Sequence, residues 1–209
     1  MNDLAGRARG LLSLPPSCGP VRLVAIDGHA GSGKSTLATR LAEALGGAPL
    51  LRLDDLATHE ELFAWTDRLR EQVLRPLSRG EPARYAPYDW TARRFGPLRA
   101  LAPAPVVLIE GVGAGRRLLR SRLAALWWME MDRDTSWERG RRRDGAALRG
   151  FWDGWTVAEE RHFAEDPSRP YADALVRQVS EGYEWLDGPR VAAAAPRNLT
   201  EGEGGRSSG

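Results

Sequence analysis

The sequence predicts an α/β fold: a mainly parallel five-stranded sheet sandwiched between helices, with a helical lid at one edge. Three observations carry this. Short apolar runs rich in β-branched residues alternate with longer segments whose apolar residues recur every three or four positions. One run, Val106-Val107-Leu108-Ile109, is continuously apolar, as suits a strand covered on both faces. A glycine-rich segment, Gly28 to Ser35, joins the first run to the first helical segment.

Taken in order, residues 1–20 carry Gly, Pro and Ser and read as an N-terminal extension with a short helix near Leu4 to Leu12. Val21 to Ile26 is the first strand. Leu37, Ala38, Leu41, Ala44 and Leu45 give the next helix its period, and Gly46-Gly47 stops it. Leu50 to Leu53 is a second strand ending on Asp54-Asp55, and Glu60 to Leu77 is helical in pattern. Arg79 to Pro97 is polar, aromatic and broken by proline, which predicts a loop over a site. The strand beginning after Pro105 ends at Glu110-Gly111. Arg116 to Ala125 reads as a basic helix, Leu126 to Met131 as a fourth strand ending at Asp132, and about 134–156 as the arginine-rich lid. A further helix over Val157 to Ala164 and a fifth strand over Ala172 to Val176 complete a domain of residues 21–188. The Ala-, Gly- and Ser-rich stretch 189–209 reads as a disordered tail.

Composition narrows the function. Apolar residues make up 42% of the 209, enough for a core, and no apolar run reaches the roughly 20 residues of a membrane span. The apolar stretch Leu11 to Leu14 is short and is followed by Pro15-Pro16, so no signal peptide is expected and the chain reads as cytoplasmic. Cys18 is the single cysteine, which excludes an internal disulfide and a cysteine-based zinc site. Net charge is only +2, with acids and bases interleaved, so neither a nucleic-acid nor a membrane partner is called for. Of the 30 basic residues, only Lys34 is a lysine, and it lies in the glycine-rich segment. A slim ammonium reaches between phosphates where a planar guanidinium would collide.

Gly28-His29-Ala30-Gly31-Ser32-Gly33-Lys34-Ser35 fits G-x-x-x-x-G-K-S/T at every fixed position, between a strand and a helix. Glycines let successive N–H groups face one anion, and the helix adds its positive N-terminal end. The segment through Thr36 is therefore the expected ATP cradle, with Lys34 on the transferred phosphate and Ser35 on Mg²⁺. Glu110, after its apolar strand, is the second expected Mg²⁺ residue. Asp54 is placed to take the proton of an attacking hydroxyl. Arg139, Arg141, Arg142, Arg143 and Arg149 read either as a solvated face or as a lid over the phosphates, with Arg139 and Arg143 the choices for phosphate contact. Tyr85, Tyr88 and Trp90 either line an acceptor pocket or anchor their loop. Trp152 and Trp155 read as packing.

With these motifs in place, the sequence resembles the uridine kinase-like P-loop kinases from about Val21 to Val176. The resemblance is carried by Ile26-Asp27-Gly28, Asp54-Asp55, Arg84-Tyr85-Ala86-Pro87-Tyr88-Asp89-Trp90, Ile109-Glu110-Gly111, Arg143-Asp144 and Tyr171-Ala172-Asp173. It implies a five-stranded parallel sheet, Asp54 as base, Glu110 near Mg²⁺, and Tyr88 and Trp90 beside the acceptor. Leu56-Ala57-Thr58 departs from the family's aromatic position, and Arg93 falls where the family carries a nucleoside-contacting histidine. The expected activity is ATP-dependent phosphorylation of a hydroxyl on a nucleoside or related small metabolite, by a monomer or homo-oligomer. A nucleoside monophosphate kinase and a non-catalytic nucleotide-binding protein are the alternatives. No Asn-Lys-x-Asp segment can exist with Lys34 the single lysine, which excludes guanine-specific GTPases. Replacing Lys34 with Ala is expected to abolish phosphoryl transfer in an ATP-consumption assay.

Overall fold

A computed structural model describes residues 4–190; the expected tail falls almost entirely outside them. The first helix, α1 (Leu4–Ser13), precedes strand β1 (Arg22–Asp27). Helix α2 (Lys34–Ala44) and strand β2 (Leu50–Arg52) follow, then a 3₁₀ turn Leu53–Asp55. A continuous helical segment combines α3 (Thr66–Leu69), a π-helical stretch Arg70–Leu74 and α4 (Arg75–Ser78).

The expected loop and the residues just after it form two small antiparallel pairs. Strand β3 (Ala83–Tyr85) pairs with β6 (Arg99–Leu101), and β4 (Tyr88–Asp89) pairs with β5 (Arg94–Phe95). Then come β7 (Val106–Glu110), the short α5 (Arg117–Arg120) and β8 (Ala125–Met129). The lid helices α6 (Arg133–Asp144) and α7 (Arg149–Glu165) lead to the hairpin β9 (Ala174–Val179) and β10 (Gly182–Asp187).

Among the described residues the main sheet has the order β10-β9-β8-β1-β7-β2. Five neighbours run parallel as expected; β10 adds a sixth strand, antiparallel to β9. Its alternation of Tyr183 and Trp185 with Glu184 is a strand signal, with Trp185 meeting Trp127 edge-on at 4.8 Å.

Consecutive strand residues supply opposite layers. Leu23, Ala25, Val107 and Ile109 join one core with Leu69, Val73 and Leu77. Val24, Ile26, Val106 and Leu108 join the other with Leu37 and Leu41 of α2 and Leu11 of α1. Both faces are covered, which is why these strands read as unbroken apolar runs. No helix among the described residues is long and apolar enough to cross a membrane.

Two helices are shorter than their patterns suggest. The segment expected to be helical from Glu60 begins at Thr66, because Leu62 and Phe63 turn aside to pack against Trp152 and Trp155. The basic segment Arg116 to Ala125 is helical only over Arg117–Arg120, since the chain must straighten to enter β8. Arg116 itself is not part of a solvated basic face. It is buried, with its guanidinium 3.8 Å from the Trp65 ring centre and donating to the Phe63 carbonyl at 2.9 Å. Burial lowers its pKa to about 10.

The glycine-rich loop packs directly on the lid. A Cβ on Gly31, whose φ is +86°, would lie 2.0 Å from the Ser136 carbonyl oxygen. Gly31→Ala is expected to cost roughly 2 kcal/mol or more, through both strain and overlap with backbone. Thermal unfolding without nucleotide checks this: a Tm lower by several degrees is expected.

Candidate active site

The site begins where β1 ends. Asp27 is fully buried, and its carboxylate accepts from the amides of Gly28 (2.7 Å), Gly113 (2.9 Å) and Gly115 (2.8 Å). This ties the start of the phosphate loop to the turn after β7. Gly28, Gly31 and Gly33 have φ of +144°, +86° and +104°, a left-handed course that side chains resist. Lys34 folds back across the loop, its Nζ donating to the Gly28 and His29 carbonyls at 2.9 Å each. Beside it a cavity of about 270 Å³ is bordered by Gly31, Gly33, Ser35, Thr36, Arg139 and Arg143. Loop amides, the N-terminal end of α2 and cations converge there, as an anion site requires.

Two carboxylates stand at neighbouring strand ends. Glu110 is 4% exposed and lies 3.4 Å from the Arg52 guanidinium. Burial and the charge of Asp54 push its pKa up to about 7, against Lys34, a hydrogen bond with Ser35, and Arg52. Asp54, in the 3₁₀ turn after β2, keeps contact with water through a cavity mouth while protein surrounds it. That desolvation raises its pKa above the usual carboxylate range, opposed by Lys34 and Arg143 and reinforced by Asp55. Ser35 and Glu110 offer hard oxygen donors, a set that would suit Mg²⁺ completed by water and phosphate.

A second cavity, of about 470 Å³, has Asp54 in its wall. Its walls are aromatic: His59, Trp90, Phe151, Trp152 and Trp155. Trp90 and Phe151 meet edge to face at 5.6 Å, and His59 lies 4.8 Å from Trp90. Each indole N–H is already used, by the Asp54 carbonyl, Asp144 and Glu159 respectively, so the rings are held in place. Arg143 borders both cavities and is paired with Asp144 at 2.6 Å. A larger cavity of about 580 Å³, bordered by Phe63, Arg116 and His162, shares His59 with the aromatic one but includes no loop residue.

Lys34, Ser35, Arg139 and Arg143 thus border one cavity and Asp54 and Arg143 the other, with Glu110 beside Ser35 and Asp54. The structure places other candidates elsewhere. Tyr85 is buried, donating to Asp55 at 3.2 Å. Tyr88 is buried behind His59, 3.0 Å from its Nδ1. Arg93 is exposed and paired with Glu60 at 3.1 Å. The His29 side chain points away from the loop's mouth, between the rings of Trp128 and Phe163. Its Nδ1 is 2.8 Å from Glu159, a fully buried carboxylate of α7. Burial works to raise the Glu159 pKa, but His29, Lys34 and Trp155 outweigh it and hold it below the usual value. Glu159, Phe151 and His59 carried no sequence signal, since an acid, a ring or a lone histidine in a helix or loop is ordinary. Trp152 and Trp155, read as packing, are buried and also line the cavity.

No protein-family model matches the chain, and no curated protein matches it in sequence. Solved structures do resemble it. A possible uridine kinase from Bacillus stearothermophilus aligns with a TM-score of 0.55 at 15% identity, over 82% of this chain and 96% of that one. A putative fructose transport system kinase from Silicibacter sp. TM1040 aligns with a TM-score of 0.56 at 22% identity, over 79% and 89%. The chain shares the α/β fold of these structures. At these identities the likeness is one of architecture alone.

The raised pKa of Glu110 has a consequence for stability. Its folded-state pKa exceeds the ordinary glutamate value of about 4.5, so the folded state binds the proton more tightly and stability falls as pH rises from about 4.5 through about 7. In EDTA, Glu110→Gln is expected to gain on the order of 1–3 kcal/mol over the parent at pH 8 and little at pH 4.5. Tm measured against pH for both proteins checks this; a difference independent of pH would refute it.

Proposed function

We propose that the chain is an ATP-dependent kinase transferring the γ-phosphoryl group to a hydroxyl of an uncharged, flat-faced small molecule such as a nucleoside. The observation that carries this is that two cavities, one at the glycine-rich loop and one aromatic, meet at Arg143, with Asp54 in the wall of the aromatic one. The two solved structures named above are described as a possible uridine kinase and a putative fructose transport system kinase, which agrees with the reading.

The triphosphate lies on the loop amides, with Lys34 released from the Gly28 and His29 carbonyls to meet it. A cavity of about 430 Å³ bordered by Arg40, Gln178 and Tyr183 takes the donor's base, adjoining Arg139 through its bond to Gln178. The acceptor stacks among Trp90, Phe151 and Trp155, directing a hydroxyl toward Asp54. That oxygen forms a bond to the γ-phosphorus as the bond to the bridging oxygen breaks. The proton passes to an Asp54 carboxylate oxygen, and ADP leaves. A base with a raised pKa is closer to the operating pH, which favours the transfer. Lys34 and Arg143 face the charge spread over the moving group. Ser35 and Glu110 would hold Mg²⁺, which when bound supplies further positive charge to the phosphates.

A phosphorylated acceptor fits less well. Arg143 is the one arginine among the residues bordering the aromatic cavity, and Arg93 is engaged with Glu60.

Asp54→Asn is expected to lower kcat by about 10²-fold or more while ATP affinity changes by less than about twofold. Phe151→Ala is expected to raise the acceptor KM about tenfold with a smaller effect on the KM for ATP. Steady-state kinetics with calorimetric ATP titration measure both. Full turnover in the Asp54→Asn protein would remove Asp54 from the role of base.

A further inference from the structure

Glu159 takes no part in the chemistry above, yet it is a fully buried carboxylate with an unusual set of partners. His29 Nδ1 lies 2.8 Å from Oε1, and the Ala30 amide donates to Oε2 at 3.2 Å; both belong to the phosphate loop. The indole of Trp137, on α6, donates to Oε1 at 3.0 Å. The indole of Trp155, one turn earlier on α7, donates to Oε2 at 2.7 Å. The loop and both lid helices therefore share one anion.

Packing supports the same connection. Gly31 sits against the Ser136 carbonyl and the Gly140 amide of α6, with no room for a Cβ. Gly140 in turn faces the Trp152 ring of α7, which a Cβ would meet at 2.3 Å. The three elements touch through glycines, and Glu159 is the polar pin passing through the contact. A carboxylate buried at this depth is costly unless every oxygen is satisfied, so displacing any one partner weakens the hold on the others.

We infer that Glu159 is a positioning residue that makes the phosphate loop and the lid a single unit, so that loop shape and the placement of Arg139 and Arg143 change together. Glutamine at 159 keeps the size but offers one acceptor oxygen where the carboxylate offers two, and turns an N–H₂ group toward N–H donors. Aspartate keeps the charge on a shorter arm.

The test compares the parent protein with Glu159→Gln and Glu159→Asp. Hydrogen–deuterium exchange without nucleotide is the primary readout. In Glu159→Gln, amides of residues 28–33 and 133–144 are expected to exchange faster by a similar factor, with β1, β7 and β8 unchanged; Glu159→Asp recovers part of the protection. ATP affinity, measured by calorimetry, is expected to fall about tenfold in Glu159→Gln, the effect of losing one hydrogen bond to a charged group. Faster exchange confined to α7, or a lower Tm with loop protection and ATP affinity unchanged, would show a merely structural residue and overturn the inference. The ATP arm rests on the proposed function and the exchange arm does not. A parent protein that binds no ATP would defeat the functional reading while exchange still decides the role of Glu159.

Discussion

A run of backbone amides can be turned toward one anion only if something holds the loop open from behind. Here two buried carboxylates do so. Asp27 gathers the amides of Gly28, Gly113 and Gly115, fixing where the loop leaves the sheet. Glu159 receives His29 and Ala30, fixing where the loop turns. The donors they use are those pointing away from the cavity, which leaves the later amides and the α2 end for a ligand. Neither carboxylate would survive burial unpaired, so the loop's shape and the cores behind it depend on each other.

The same economy governs the front of the site. Burial raises the pKa of both Asp54 and Glu110, Asp55 adding to the first and Asp54 to the second, and Lys34 opposes both shifts. Without that ammonium the two acids would face each other with less compensating charge. Arg143 extends this balance across the boundary between the cavity at the glycine-rich loop and the aromatic one. The parallel strands are what make the meeting possible, because they all deliver their carboxyl ends to one edge of the sheet.

Much of this was legible in the sequence, for identifiable reasons. The strands β1 and β7 are covered on both faces and so carry an unbroken apolar signature, and the phosphate loop needs particular residue types at particular places. The aromatic cavity was legible only in part. Trp90 lay in a segment whose composition suggested a loop over a site, whereas Phe151, Trp152 and Trp155 come from α7, more than fifty residues on, brought in by the fold of the lid. Glu159 shows the limit most clearly. Beside Glu160 it looks like half of a solvated acidic pair, and nothing but the tertiary structure separates the buried hub from its neighbour, which pairs with Arg133 at the surface. Arg116 misled in the opposite sense: a basic residue in a basic run is normally solvated, but this one lies over Trp65.

The most direct measurement follows the γ-phosphoryl group itself. ATP labelled in that group, incubated with the protein, Mg²⁺ and a panel of nucleosides, sugars, sugar acids and nucleotides, leaves its label on whichever molecule accepts it. Transfer to the hydroxyl of an uncharged acceptor with an aromatic face is the expected result. Label found only in inorganic phosphate, or only on anionic acceptors, would contradict the assignment of the aromatic cavity beside Asp54 as the acceptor site.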